Sequence, residues 1–386
     1  MNHRERFLAV VRNEPVDYTP IFGFGGAPGM SLGCMKHTHD RLIATGMPED
    51  VGGCMDNWSL RDPEGWQRYW GTTTCAGIDF GMASGAQGFK TEVRVEDGFE
   101  IIENENGEVT RQIIDNANTY IMPEFVEYAV RDRDSWEFYR DRTEPTEFMS
   151  LADVEENAKR FRERDRPLAM GAGGGYSHIR GLMGPERAST MFYDDPELVH
   201  EIMARALRHV REYTFPVIER VKPDIVAMGE DLCFNHGMLL SPAQFDAFFG
   251  EYYQEVCDCA FANGAAMVAV DTDGNAMEFA GLAAGYGVNA IYPFEVKAGN
   301  DLFKLREELP EFVCFGWLEK EVVNEGNEDM IESEIMSKVP ALLEKGYYFP
   351  NGDHGIQPMV TYPNMLKFMT LLHDVTGNPE GEFPRT

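Results

Sequence analysis

Two carboxylates at the end of one apolar run are the most chemically loaded feature of this sequence. Met267-Val-Ala-Val leads into Asp271-Thr-Asp273-Gly-Asn275. Side chains alternate along a strand, so Asp271 and Asp273 are expected on the same side. Paired carboxylates are costly unless a cation, a bound proton or an arginine sits between them. The same pattern also serves a hydrogen-bonded Asp pair that caps the following helix. Other titratable groups close similar apolar runs: Glu230 and Asp231, Glu295, Glu319, and Asp353 with His354. Glu230 is a candidate catalytic carboxylate, with helix capping as its alternative, and His236 in Asn-His-Gly is a candidate catalytic imidazole. His178 and Arg180, after the glycine run Gly171–Gly175, are expected to touch substrate or a partner, or else to anchor a loop. Phe24 and Glu295 complete the expected substrate contacts. His37 and His39 form an H-x-H pair that sits in a loop or helix start, a poor setting for metal ligands.

The elements that must position these groups follow a regular rhythm from about residue 147 onwards. Helical patterns at 151–164, 195–220, 242–263, 278–286, 301–309 and 329–345 alternate with short apolar runs at 167–171, 224–231, 267–271, 290–295, 312–316 and 347–354, and a last helix covers 362–375. Such alternation gives a parallel sheet. Thr19-Pro-Ile-Phe-Gly-Phe24 adds a first strand after a short helix in 1–15, and an eighth is expected in 40–82. The natural closure is a (β/α)8 barrel, with a doubly wound open sheet as the alternative. In a barrel the chemistry lies at the C-terminal ends of the strands, where the candidate acids fall. Residues 72–122 break the rhythm. Alternating patterns around Asn106-Gly107 predict an antiparallel β insertion inside a single domain of residues 1–386.

Composition narrows the function. Lysine and arginine number 34 against 65 acids, a formal net charge of -31. That excludes nucleic-acid binding through a basic surface and disfavours anionic membranes. No stretch approaches the length of a membrane span, no secretory leader opens the sequence, and the odd cysteine count reads as reduced thiols, so a cytoplasmic protein is expected. Neither a dinucleotide G-x-G-x-x-G signature nor a P-loop ending follows a strand.

Three segments carry a family likeness. The opening RERFLAVVRNEPVDYTP, the LLSPAQFDAFF that follows GEDLC, and the closing DHGIQPMVTYPNM resemble the uroporphyrinogen decarboxylase superfamily over nearly the whole chain. The resemblance implies a (β/α)8 barrel and a homodimer. True decarboxylases of the superfamily carry an arginine-rich loop after the first strand to hold a polycarboxylate. Here that place reads Phe24-Gly-Gly-Ala-Pro-Gly-Met-Ser-Leu, without arginine, which argues against decarboxylation. The corrinoid-dependent methyltransferase branch carries a zinc site, and Asp271, Asp273 and His354 stand where its ligands are expected. The types differ, but two carboxylates and an imidazole suit zinc or another divalent ion. What this likeness implies is a methyltransferase that moves a methyl group from a small donor to Co(I) of a corrinoid. An oxygen-rich site and an aromatic interior point to O-demethylation of methoxylated aromatics. No corrinoid-binding D-x-H-x-x-G signature is present, so the corrinoid would be carried by a separate protein.

Overall fold

Short apolar runs too brief to stand alone must be buried on both faces, and a curled parallel sheet does this. The computed structural model describes residues 1–22, 35–53, 60–78, 91–104, 107–114, 123–144 and 150–386. Its main sheet has seven strands, in the order Ala76–Gly77, Leu168–Gly171, Ile225–Gly229, Met267–Asp271, Ala290–Tyr292, Val313–Phe315 and Tyr348–Phe349. Every pairing is parallel. Phe22 bridges Thr73 in parallel just before the first of these, and Asn351 donates from Nδ2 to the Phe22 carbonyl just after the last. The sheet therefore curls until its two edges meet at Phe22, a TIM-type barrel. The strand expected in 40–82 is Ala76–Gly77.

Strand parity separates two apolar layers. Ala169, Ile225, Met267, Ala269, Ala290, Tyr292, Val313, Phe315 and Phe349 share one cluster, which is the inside of the barrel. Their neighbours Leu168, Met170, Val226, Met228, Val268, Val270, Ile291 and Cys314 face out and pack under the helices. Phe7, Val10 and Val11 of the helix His3–Val11 join the inner cluster and plug its N-terminal end. Buried Asp224 holds this plug in place. It takes Arg4 and Arg164 as ion pairs and accepts from the Leu168 amide at 2.9 Å.

Where boundaries differ from the sequence reading, local chemistry explains it. The helix expected over 195–220 runs as Pro196–His209, a π turn Val210–Thr214 and Phe215–Val221. Pro216 cannot donate an N–H, and the wider turn just before it absorbs that loss. The antiparallel sheet comprises Glu92–Glu96, Phe99–Glu103 and Val109–Ile113, all within the expected 72–122, and Glu124–Glu127 just beyond it, while residues 76–77 belong to the barrel. Its first hairpin turns on Asp97-Gly98, both at positive φ, a signal as good as the one noticed at Asn106-Gly107. No described helix is long and apolar enough to cross a membrane.

The glycine run 173–175 is a packing device. A Cβ on Gly174 would lie 2.0 Å from the Gly229 carbonyl oxygen, and one on Gly175 would meet the Phe249 ring at 2.8 Å. Gly174→Ala is expected to lower stability by about 1–3 kcal/mol or to prevent folding, as overpacking against backbone does; urea denaturation beside wild type reads this directly.

Candidate active site

The mouth of the barrel gathers its polar groups through a closed chain of contacts. Asp273 leaves the Met267–Asp271 strand and meets His354, with His354 Nε2 3.2 Å from Asp273 Oδ1. The next residue, Gly274, donates its N–H to Glu295 Oε2 at 3.0 Å. Glu295 Oε1 takes the Lys320 ammonium at 2.9 Å. The Lys320 amide donates to Asp353 Oδ1 at 2.9 Å, while Asp353 Oδ2 accepts from the Val296 amide at 2.8 Å. Asp353 then leads back to His354. Four strand ends, after Asp271, Tyr292, Phe315 and Phe349, are thereby laced into one ring.

Electrostatics sort these acids into two kinds. Burial pushes the Asp353 carboxyl up to about 6, against the pull of Lys320 and the two amides. Burial works the same way on Asp273, but the hydrogen bond and charge of His354, helped by Lys320 and Arg180, outweigh it and hold the carboxyl below its ordinary range. Burial opposes charging of His354 as well. Its bond to Asp273 prevails and raises the imidazole above 6.5. Lys320 is raised because Asp353 and Glu295 overcome its burial.

Inside this ring the strands present Asp271 at an inward position, in register with Gly229 on one side and Tyr292 on the other. Tyr292 is fully buried, and burial followed by the charges of Asp271, Asp353, Asp273 and Glu295 keeps its phenol protonated. Below lie the rings of Phe22, Phe315 and Phe349, with Phe315 stacked on Phe349 at 4.8 Å and Phe22 edge-on to it at 5.4 Å.

The other expected residues take varied places. Glu230 is buried at the N-terminus of the helix Tyr176–Met183, where it accepts from Gly175 and Ser177 amides and, at 2.8 Å, from the Tyr253 hydroxyl. Burial raises its pKa against those bonds. This is the capping role, and Glu230 acts on the mouth only by fixing that helix. Arg180, from the same helix, is ion-paired with Asp231 beside the mouth. His178 points elsewhere. Burial first, then Arg205 and His209, lower it to about 4, and its Nε2 finds no hydrogen-bond partner among the described residues. It is a neutral packing group of the outer helices, not a substrate contact. His236 is exposed at the turn of the small hairpin Cys233–Phe234/Gly237–Met238, whose Phe234 carbonyl accepts from Asn275 N at 2.9 Å. Glu295 is a ring member tied to Lys320. Phe24 lies outside the described residues. His39 is buried with Nε2 2.8 Å from the Val51 carbonyl, so the H-x-H pair does not serve as a ligand set.

A catalytic zinc uses three protein donors. Among the described residues no group of three or more His, Cys, Asp or Glu side chains is arranged to hold a metal. Asp273 and His354 come together, but they engage each other, and Asp271 does not complete a third corner. The described arrangement thus does not fit the three-ligand zinc site expected from the sequence. Lys320 and Tyr292 were missed there. Lys320 is a lone base directly after Glu319 in an acidic chain, and the parity of Tyr292 with Ala290 was legible.

With the geometry in view, the comparisons with known proteins can be placed. Residues 116–375 match the family model for uroporphyrinogen decarboxylase (URO-D), more than half of the chain. The chain belongs to the uroporphyrinogen decarboxylase family. A methyltransferase from Methanosarcina mazei shares the fold, with a TM-score of 0.56 at 16% identity over 97% of this chain and 99% of that one. A dihydropteroate synthase from Anaplasma phagocytophilum, at TM-score 0.31 and 16% identity over 46% of this chain and 69% of that one, is too remote to bear on the argument. No curated protein sequence matches the chain.

The Asp273–His354 pair sets a pH window. The Asp273 contribution to stability is present above the ordinary carboxylate range and is lost as pH falls through its lowered pKa. The His354 contribution is complete below 6.5 and is lost as pH rises through its raised pKa. Imidazole NMR is expected to show His354 titrating above 6.5 in wild type, lower in Asp273→Asn, and higher in Lys320→Met, because the ammonium opposes the imidazolium. An unshifted His354 in Asp273→Asn would show that the pair does not form in solution.

Proposed function

We propose that this protein is a methyltransferase that takes a methyl group from a small donor, a methoxylated aromatic, and delivers it to Co(I) of a corrinoid carried by a separate protein. The observation that carries this reading is the His354–Asp273 pair at the C-terminal strand ends of the barrel, above a buried layer of aromatic rings. The fold shared with a methyltransferase supports it.

The partner's corrinoid supplies the electron pair that receives the methyl carbon. Everything else falls to the chain. The bond between methyl carbon and ether oxygen breaks with its electrons left on oxygen, and a phenolate is a poor leaving group until that charge is met. His354, kept protonated by the bond from its Nε2 to Asp273, donates the proton of its other ring nitrogen there, so that the phenol leaves neutral. Asp273 holds the imidazole in place. The ring through Glu295, Lys320 and Asp353 fixes both. General acids of this kind contribute about 10²–10⁴-fold.

The lyase alternative finds less support. A polycarboxylate needs free cations, and the two described near Asp273, Arg180 and Lys320, are paired with Asp231 and Glu295.

Methyl transfer from methoxyarenes to free cob(I)alamin, followed by its absorbance change, is the deciding assay. His354→Ala is expected to lower kcat by about 10²-fold. Wild-type rates are expected to fall as pH rises through the raised pKa of His354. Failure to methylate cobalt from methoxyarenes, methylamines or methylthiols would overturn the reading. Elemental analysis tests the charge-paired site separately. Substoichiometric zinc is expected, whereas one equivalent that disappears in Asp273→Asn and His354→Ala would restore the metal as the Lewis acid.

A further inference from the structure

The opposite end of the barrel carries a cavity whose charge runs against the rest of the chain. Its wall is built where three neighbouring strands begin, Leu168–Gly171, Ile225–Gly229 and Met267–Asp271, so it lies at the N-terminal face, away from the Asp273–His354 pair. Its volume is about 670 Å³, within the roughly 300–1,000 Å³ of small-molecule sites. Arg4, Arg162, Arg164, Arg220 and Lys222 line it, against two acids among the described residues, Glu155 and Asp224. In a chain of net charge -31, with 34 basic residues to 65 acids, five cations on one small wall reverse the local sign.

Two of the five build the site more than they fill it. Buried Asp224, with one negative charge, takes both Arg4 and Arg164. Arg164 directs its other donors to backbone: Nη1 to the Phe161 carbonyl at 3.0 Å and Nη2 to the Lys222 carbonyl at 2.9 Å. One guanidinium thereby fixes the residue before Arg162 and the backbone of Lys222 together. Lys222 is held at φ +52, the left-handed cap of the helix Phe215–Val221. Arg220 gives Nη1 to the Pro216 carbonyl at 3.0 Å and meets half-exposed Glu155 at 3.5 Å. Arg162 and Lys222 are exposed and have no side-chain partner among the described residues. Like charges gathered on a fixed scaffold repel one another unless an anion lies between them. The free cations that the mouth lacks are present at this end.

We infer that this cavity is a second binding site, for a small ligand with clustered anionic groups, a diphosphate or a polycarboxylate. Five cations against two acids leave an excess that a single anionic group does not meet, and guanidinium forks take phosphate and carboxylate oxygens in pairs. The site is separate from that of the methyl donor and does not depend on the methyltransferase reading. A ligand bridging Arg162 and Lys222 beside Arg4 would also touch the helix His3–Val11 that plugs the barrel, so its binding stabilises that end.

The experiment titrates the purified full-length protein calorimetrically with sodium pyrophosphate and, separately, with citrate, at low and at high sodium chloride. Wild type is expected to bind at least one of them, about tenfold or more weakly at high salt, and to melt at a higher temperature in its presence. The preferred probe tells phosphate from carboxylate. Arg162→Gln/Lys222→Asn removes both unpaired cations, and asparagine accepts the left-handed backbone. Without ligand this variant is expected to melt within a few degrees of wild type; with ligand it is expected to bind about tenfold or more weakly. Arg162→Lys is expected to retain most of the affinity. Lys159→Gln removes a neighbouring exposed cation that is not in the wall, and is expected to bind as wild type does. Binding of neither anion at millimolar concentration, binding indifferent to salt, or equal affinity in the double variant would each overturn the inference. A loss in Lys159→Gln as large as in the double variant would show a diffuse field in place of a site and overturn it as well.

Discussion

The arrangement at the mouth depends on how an acidic chain neutralises its own strand ends. The barrel topology brings Asp271, Asp273, Glu295 and Asp353 to one end of four neighbouring strands. Such a group of carboxylates is repelled by itself and by a chain of net charge -31. Lys320 and His354 are the counterweights. Lys320 binds Glu295 with its ammonium and Asp353 with its amide, and His354 binds Asp273. The groups are tuned by their surroundings: the imidazole is raised above 6.5 because Asp273 outweighs its burial, and Asp353 is left near 6 because burial outweighs Lys320 and its two amides. A rigid, partly protonated set of groups is what acid-assisted chemistry needs, and here it arises from charge balance on a fixed scaffold.

Glycine sets the close packing beside the mouth. At 173–175 it lets the chain press against the Gly229 carbonyl and the Phe249 ring, so the helix Tyr176–Met183 starts close enough for buried Glu230 to cap it. That cap in turn aims Arg180 at Asp231. At 171 and 229 a Cβ would meet no atom of the described residues within 4 Å.

Much of the barrel was legible in the sequence because its strands are buried on both faces and its helices carry capping signals. Asn2 with Glu5 and Ser241 with Gln244 form capping boxes that mark two helix starts plainly. The Asp271/Asp273 spacing and the place of His354 were also legible as neighbouring strand ends of the barrel. The partnerships there were not legible. Whether Glu230 caps or reacts depends on Gly175, Ser177 and Tyr253, distant in sequence and gathered by packing. His178 and Arg180 lie two residues apart on one helix, and the roughly 100° turn per residue sends one among the outer helices and the other towards the mouth. The donor set of a metal site is likewise a three-dimensional fact. Motif position placed three ligands together where the chain brings two into contact and makes them an ion pair.

An acidic mouth has consequences for which reactants it can serve. A polyanion entering it meets Asp271, Asp273, Glu295 and Asp353 with both nearby cations already engaged, so binding would cost charge repulsion in a partly desolvated place. A neutral aryl ether meets no such barrier. On the proposed reading the same field would also assist the end of the reaction. A phenolate held beside these carboxylates would be repelled, but protonation by His354 makes it a neutral phenol, and the imidazole it leaves behind is drawn to take up a proton again by Asp273. On that reading the charge gathered at this end would be the force that reloads the acid and clears the product.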